Sequence, residues 1–307
     1  MTASGRAAAP WPSLPFEAWQ DTYATLHLWT QIVGKVRLAL APHVNHWWQV
    51  PFYVTARGLT TSPMSYGRRT IQIDFDFVDH RLRIVTTDPD EVSISLEPRS
   101  VADFYRVVVD ALASLGINVP IWTMPVELEG PVPFEEDEKH AAYDAEYAHR
   151  FWQALVHADR VMQRFRGRFT GKVSPVHFFW GSFDLAVTRF SGREAPPHPG
   201  GVPGLADWVT REAYSHEVSS AGFWPGGPGL PEPVFYAYAY PEPEGFRGVD
   251  GLPEAAYYFE DMGEYVLPYE AVRTAADPDA LLLQFLQQTY EVAAVLGDWD
   301  RDRLERL

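Results

Sequence analysis

The first predicted helix is marked by apolar residues that recur at intervals of three and four. They run through Phe16, Trp19, Tyr23 and Leu26 to Val33, which is the spacing of one face of an amphipathic helix. The segments that follow it alternate apolar and polar residues or are rich in β-forming residues: KVRLAL, PFYVTARG, TIQIDFDFVD, RLRIVTTD and EVSISLEP. Alternation places every second side chain on one face, so these segments predict an antiparallel sheet with one covered face.

A second segment with the apolar spacing of a helix begins at Ser100. This residue is a good N-cap, and Gly116 fits the position just beyond the end of the predicted helix. A further helix is predicted for about 140–168, after the proline-rich acidic stretch PVELEGPVPFEEDE, which is typical of a linker. The last predicted helix begins at Asp277 and has Pro278 in its first turn.

The two halves of the chain therefore follow the same order of elements. Each half gives a helix, several antiparallel strands and a second helix, which predicts an α+β fold built by internal duplication. We expect a disordered tail at 1–10, a first half at 11–130 and a second half at 131–307, with the two halves packed as one compact unit.

A histidine followed by two aromatic residues occurs near the first strand of each half. The segments HVNHWWQVPFYVTARG and PVHFFWGSFDLAVTRFSG align without a gap, which matches His46 with His177 and Phe52 with Phe183. If the duplication is real, the two histidines should occupy equivalent places in the two sheets. The identities are few, so a chance match is the alternative.

Composition narrows the classes of function. The 307 residues include 11 tryptophans, and aromatic residues of this kind are used both in cores and in ligand pockets. With 25 basic and 41 acidic residues the net charge is −16, which disfavours binding to nucleic acid or to an anionic membrane. The chain has no cysteine, which excludes disulfides, thiolate metal sites and cysteine nucleophiles. No segment has the pattern of a signal peptide or a membrane span, so we expect a cytoplasmic protein.

Several long segments resemble a known family. WQDTYATLHLWTQIVGK, YVTARGLTTSP, SPVHFFWGSFDLAVTRFSGR, YSHEVSSAGFWPGG and FYAYAYPEP are similar to a family of bacterial proteins that is described only as a domain of unknown function. The resemblance extends from Trp11 to about Trp299 and covers both halves. It implies one conserved unit, and it implies no activity, cofactor or catalytic residue.

Histidines next to carboxylates are the first candidates for chemistry. We predict His177, Asp184, His216 and Glu217 as candidate catalytic residues, because a histidine and a carboxylate can act together as an acid–base pair. Metal binding is the weaker interpretation, since the spacings enforce no ligand set, and HEVSS has Ser220 where the zinc-protease motif requires a second histidine. We therefore predict no metal ligand and leave any cofactor undefined.

Polar and aromatic residues inside the apolar strands are the second set of candidates. We predict that a substrate contacts the following residues: His46, Arg57, Trp180, Arg189 and Tyr238. An arginine in such a place can hold a carboxylate or phosphate bidentately, or it can form a structural salt bridge with Asp184 or Glu217.

Two classes of function remain open. The first is a protein that binds a small molecule in an aromatic- and histidine-lined pocket and that could be an enzyme. The second is a non-catalytic scaffold or partner-binding protein, possibly a homodimer, whose aromatic residues fill cores and an interface. The first predicts a shared cavity near His177, Trp180, His216 and Tyr238, and the second predicts closed, dry packing there.

Overall fold

The computed structural model describes residues 10–306 and shows a mixed α+β architecture with two antiparallel sheets of six strands each. The predicted tail at 1–10 lies outside the described residues except for Pro10, which is exposed. No helix within 10–306 combines the length and the apolar composition that are needed to cross a bilayer.

The strands of the first sheet come between two helices in the order of the chain. The elements are α1 (Gln20–Leu40), β1 (Tyr53–Val54), β2 (Gly58–Thr60), β3 (Met64–Tyr66), β4 (Arg69–Asp76), β5 (Arg81–Thr86), β6 (Glu91–Ser95) and α2 (Val101–Ser114). The strand order is β1-β2-β4-β5-β6, with β3 also paired to β4. The alternation predicted in β4 is confirmed, because its apolar members are all buried: Ile71, Ile73, Phe75 and, just after the strand, Phe77.

The second sheet follows the same plan with longer strands. Its half contains α3 (Ala145–Arg166), β7 (His177–Phe179), β8 (Asp184–Glu194), α4 (Asp207–Ala213), β9 (His216–Trp224), β10 (Val234–Tyr240), β11 (Tyr257–Phe259), β12 (Glu264–Pro268), α5 (Tyr269–Arg273), α6 (Pro278–Leu296) and α7 (Arg301–Leu304). The strand order is β11-β12-β10-β9-β8-β7.

The sequence signals for helix termini are confirmed. The Ser100 hydroxyl accepts a hydrogen bond from the backbone N–H of Asp103, and the Asp277 carboxylate caps α6 in the same way. Each of these bonds satisfies one of the backbone N–H groups that a helix N-terminus leaves free. Gly116 has the positive φ of 69° that is favoured after a helix C-terminus.

The segment KVRLAL is not the strand that its alternation predicts. It forms the last turns of α1, which is buried on almost every side because it lies between the two halves. The Trp29 ring of α1 stacks on Phe104 of α2, with 4.3 Å between ring centroids, and the His27 ring contacts the backbone of Gly181 in the second half. A helix that is covered all round loses the one-sided apolar period on which the prediction relies.

The edges of the two sheets meet at Phe52 and Phe178. These residues exchange two backbone hydrogen bonds of 2.8 and 2.9 Å, which makes β1 and β7 neighbours. The repeated order of helix, strands and helix fits a duplication. The gap-free alignment is wrong in detail, because His46 lies in a 3₁₀ turn (Asn45–Trp47) whereas His177 lies in β7. His46 and His177 are therefore not equivalent in the two sheets.

The second sheet has two different faces. The face that packs against α3 and α6 carries large apolar residues, among them Leu185, Phe223 and Phe235. The opposite face carries the alternate residues of the same strands, including Asp184 and Tyr236. The alternation predicted for β8 is thus confirmed, and its polar face forms the floor of a cavity.

Candidate functional site

A cavity of about 430 Å³ lies on the outer face of the second sheet. Its walls come from α1, the 3₁₀ turn at Asn45–Trp47, the chain segments around Val126 and Val202, and one face of α4. The residues of this helix and its N-cap that line the cavity share that face because they lie three or four positions apart: Ala206 at the N-cap, and Val209, Thr210 and Ala213 in α4. The volume is in the range of small-molecule sites in proteins.

The turn between β7 and β8 forms one side of the cavity. Trp180 lies against α1 at Gly34, where an added Cβ would be only 2.3 Å from the indole ring. The Trp180 indole N–H donates a 2.8 Å hydrogen bond to the carbonyl of Val50. The ring therefore has a fixed orientation, with a steric requirement for glycine at position 34.

Asp184 is the buried carboxyl at the base of the cavity. It accepts hydrogen bonds from the hydroxyls of Ser182 and Tyr236, one on each oxygen. The Tyr236 ring reaches it by crossing β9 at Gly222, where an added Cβ would lie 2.3 Å from the phenol oxygen. Burial raises the pKa of Asp184, and the two hydrogen bonds partly offset that rise because they favour the charged form.

Two further carboxyls lie near Asp184. Glu127 also lines the cavity and lies against the β7–β8 turn, and its burial together with the charge of Asp184 raises its pKa to about 7. Glu264, at the start of β12, has its pKa raised to about 8 by the same two causes. Neither pKa is lowered by a nearby cation. Within 10–306 the Oε2 atom of Glu264 is also buried without a hydrogen-bond partner.

Lysine side chains lie at the edge of the cavity and rest on aromatic rings. Lys35 is only 5% exposed, and its Nζ is 4.7 Å from the ring centroid of Trp122. Burial lowers the pKa of Lys35 to about 8. The Nζ of Lys172 lies 5.2 Å from the ring centroid of Trp48 and 4.9 Å from that of Phe190. All three contacts have the geometry of cation–π interactions.

His46 holds α4 in place over the cavity. Its Nδ1 lies 3.2 Å from the backbone carbonyl oxygens of both Glu212 and Ala213, and its Nε2 lies 2.6 Å from the Nζ of Lys172. The carbonyls accept from Nδ1–H, so Nε2 is the nitrogen that accepts from the lysine, and the ring is neutral. Burial and the charge of Lys172 lower the pKa of His46, which agrees with this assignment.

Hydroxyl groups complete the lining. The hydroxyls of Thr188 and Ser220 are 2.9 Å apart, and those of Tyr214 and Tyr238 are 2.7 Å apart, so each pair shares a hydrogen bond. The Thr210 hydroxyl oxygen is buried and has no hydrogen-bond partner among the described residues. Thr210 lines the cavity and is only 3% exposed, so this oxygen is a buried polar atom in the wall and not an open contact point.

Four of the predicted site residues line this cavity: His46, Trp180, Asp184 and Tyr238. His216 is close to them, with 5.6 Å between its ring centroid and that of His46, but it is not part of the lining. His177 lies on the same face of the sheet, among the rings of Trp48, Tyr53 and Phe179. Burial lowers the pKa of His177 to about 3, so it is a neutral core residue.

The other three predicted residues lie elsewhere. Arg189 projects from the opposite face of the sheet, between Phe165 of α3 and Tyr290 of α6, at 3.5 and 4.2 Å from the two ring centroids. Glu217 forms a 2.7 Å ion pair with Arg193.

Arg57 belongs to the first sheet. Its Nε lies 2.6 Å from the carboxylate of Asp76. A structural salt bridge was the alternative to a ligand contact, but its partner is Asp76 and not Asp184 or Glu217. We therefore assign no role in the cavity to Arg57, Arg189 or Glu217.

The sequence interpretation missed Lys35, Glu127, Tyr236 and Glu264. One available signal was Gly222, since a glycine inside a strand often marks close approach by another group. Glu127 gave no such signal, because it lies in the segment that was predicted as a linker and reaches the cavity only through tertiary contacts. In those contacts the Gln31 side chain donates to the carbonyl of Val126 and accepts from its N–H, at 2.9 and 2.8 Å.

The carboxyls and histidines do not form a metal site. Across the described part of the chain, no three His, Asp or Glu side chains are grouped in a way that could hold a metal ion.

Comparison with known proteins gives one match. The model of a family of unknown function (DUF5996) matches residues 11–306, nearly the whole chain, and confirms the resemblance found in the sequence. No curated protein and no solved structure matches the chain.

Proposed function

We propose that this chain, which belongs to the family of unknown function DUF5996, binds a small organic molecule in the cavity above Asp184. One observation carries the proposal. A cavity of about 430 Å³ is lined by aromatic rings and also contains a buried carboxyl group that is held in place by two hydroxyl donors. Apolar walls with a few convergent polar groups are typical of ligand sites.

The arrangement favours ligand binding over a scaffold role. Protein interiors are normally packed without large voids, and a buried ionised group without a counter-charge is unfavourable. The rings that fill the core, such as Phe223 and Phe235, lie on the other face of the sheet. Trp180 and Tyr238 instead face an open space. A bound molecule would account for both the space and the polar groups.

The proposal places binding, and no reaction, at this site. Among the residues predicted as catalytic, Asp184 alone lines the cavity, whereas His177, His216 and Glu217 do not. Asp184 therefore enters as a group that orients the ligand.

A thermal-shift screen tests the proposal. Wild type is screened against a metabolite library, and each stabilising compound is measured again with Asp184→Asn and with Glu217→Gln. A ligand that binds only the native state and is present at about 100 times its Kd stabilises it by about 2.7 kcal/mol. We expect Asp184→Asn to lose this stabilisation and Glu217→Gln, whose carboxyl is paired with Arg193 away from the cavity, to keep it. Stabilisation that Asp184→Asn retains in full, or a library without any stabilising compound, would count against the site.

A further inference from the structure

We propose that the ligand of this cavity is an organic cation, with a protonated amine that binds between Asp184, Glu127 and the aromatic walls. This inference rests on the proposed function and adds the chemical class of the ligand. It concerns recognition by charge, so it can fail while the cavity still binds another kind of molecule.

The carboxyl groups at the site have no cationic partner in the protein. Asp184 is hydrogen bonded to Ser182 and Tyr236 only, and Glu127 and Glu264 make no ion pair with any residue in 10–306. A hydroxyl on each oxygen of Asp184 is the arrangement that suits an ionised acceptor, and each oxygen has a lone pair to spare. A buried carboxylate is normally paired with a cation, and the cavity leaves space for one to come from outside.

The aromatic walls favour the same charge. The indole of Trp180 is fixed by its hydrogen bond to Val50, and the rings of Tyr236 and Tyr238 are stacked with 6.1 Å between centroids. The faces of such rings carry negative potential and attract ammonium groups. The chain itself uses this interaction at the edge of the cavity, where Lys35 lies over Trp122 and Lys172 over Trp48.

Lys35 is the one residue of the lining that would favour an anionic ligand instead. Its ammonium lines the cavity and has no carboxylate partner among the described residues. However, it is already in contact with Trp122, and an anion bound beside it would also face the carboxyls of Asp184 and Glu127. Like charges within a buried site disfavour each other strongly. The carboxyl groups thus outweigh the single lysine.

Three probes that share an indole ring and a two-carbon chain separate the charges: tryptamine is a cation, 3-ethylindole is neutral and indole-3-propionate is an anion. Their Kd values are measured by calorimetry with wild type, Asp184→Asn and Lys35→Met. We expect tryptamine to bind about tenfold or more tightly than 3-ethylindole, and indole-3-propionate to bind most weakly. Asp184→Asn should weaken tryptamine binding, whereas Lys35→Met should leave it unchanged or strengthen it.

Proton release provides a second readout. The titratable groups that line the cavity, and so face the bound amine, are Asp184 on β8, Glu127 after α2, Lys35 on α1, His46 in the 3₁₀ turn, and the hydroxyls of Tyr214, Tyr236 and Tyr238. Glu264 on β12 does not line the cavity, but its carboxyl is close enough to raise the pKa of Tyr236 and Tyr238. A bound cation favours the ionised carboxyls, so tryptamine should release protons at pH 7, seen as a binding enthalpy that depends on the ionisation enthalpy of the buffer. Glu127→Gln should reduce this release.

Each outcome supports or contradicts the inference. Equal or tighter binding of 3-ethylindole or indole-3-propionate would overturn the cation preference and leave the cavity as a binding site. The same conclusion would follow if the library screen gave only neutral or anionic ligands, or if Lys35→Met abolished binding while Asp184→Asn improved it. If the three probes and the library all fail to bind, both the inference and the proposed function fail.

Discussion

The phenol of Tyr236 is hydrogen bonded to the carboxyl of Asp184 across an intervening strand. Tyr236 lies on β10 and Asp184 on β8, and Gly222 of β9 lies beneath the ring between them. This contact fixes an acidic group beneath a cavity that is otherwise largely aromatic. The predictions below concern that contact, the other buried titratable groups and the cavity itself.

Substitution of Gly222 by alanine should separate Tyr236 from Asp184. The new Cβ would lie 2.3 Å from the phenol and 2.4 Å from the backbone oxygen of Leu185, so the ring must move. We expect a loss of about 1–3 kcal/mol in the free energy of unfolding, measured by urea denaturation, from overpacking. Gly248→Ala is the matched control, because an added Cβ there meets no atom within 4 Å. Equal stabilities for the two variants would contradict the close contact at Gly222.

Glu264→Gln should gain stability relative to wild type as the pH rises. The pKa of Glu264 is about 8 in the folded protein, against an ordinary value of 4.5. Between these two values the folded state binds more protons than the unfolded state, so this carboxyl makes wild type less stable as pH increases. Glutamine cannot titrate and removes that dependence. The measurement is the urea midpoint of both proteins at pH 5 and pH 8.5.

The exposed Glu254→Gln is the control for that comparison. It removes one exposed carboxyl, so it measures how far the loss of a negative charge alone changes the comparison. A Glu264→Gln difference that is independent of pH would show that the carboxyl of Glu264 is not destabilised by its surroundings.

His177→Gln should reduce the sensitivity of the fold to acid. The pKa of His177 is about 3 in the folded protein and 6.5 ordinarily, so below about pH 6.5 the unfolded state binds the extra proton. This histidine therefore lowers the stability of wild type as pH falls from about 6.5 towards 3. We expect the difference in Tm between wild type and His177→Gln to shrink or change sign from pH 7 to pH 4.5. A difference in Tm that stays the same at both pH values would exclude His177 as the cause.

Arg189→Met should keep or raise the stability of the fold and leave ligand binding unchanged. The guanidinium is buried on the core face of the sheet, its Nε and Nη1 have no hydrogen-bond partner among the described residues, and burial lowers its pKa to about 10. Replacing such a buried charge by an apolar side chain of similar length is often neutral or stabilising, within about 1–4 kcal/mol. A large loss of ligand affinity, measured by calorimetry on a folded variant, would restore the substrate contact that the sequence predicted.

The local features of the fold could be predicted from the sequence. The caps at Ser100 and Asp277, and the alternation of β4 and β8, depend on neighbouring residues and are confirmed in the structure. The pattern of β8 placed Asp184 on the polar face, but it did not show whether this face lines a cavity or packs against other residues. The aromatic content alone could not answer it, because cores and pockets use the same residues.

The features that failed depend on contacts between distant parts of the chain. The end of α1 has an alternating pattern but is helical, because it continues a helix that is buried on all sides from Thr25 to Arg37 and so lacks a one-sided apolar period. Glu127 reaches the cavity through the contact of Gln31 with Val126, across 95 residues of sequence. Arg189 and Asp184 are close in sequence but lie on opposite faces of one strand, and an ion pair between them is excluded by that geometry.

The measurement that tests the central claim most directly is the Kd of one ligand for a variant whose cavity is filled. Val209 lies on the face of α4 that lines the cavity, so Val209→Trp should occupy the space that the ligand needs. Val295→Trp makes the same change at a 60%-exposed position of α6. The ligand is the best-binding compound of the screen or tryptamine. We predict that Val209→Trp remains folded and binds this ligand at least about tenfold more weakly than wild type. Val295→Trp should bind it with the affinity of wild type. Wild-type affinity in a folded Val209→Trp protein would show that the ligand does not bind in this cavity.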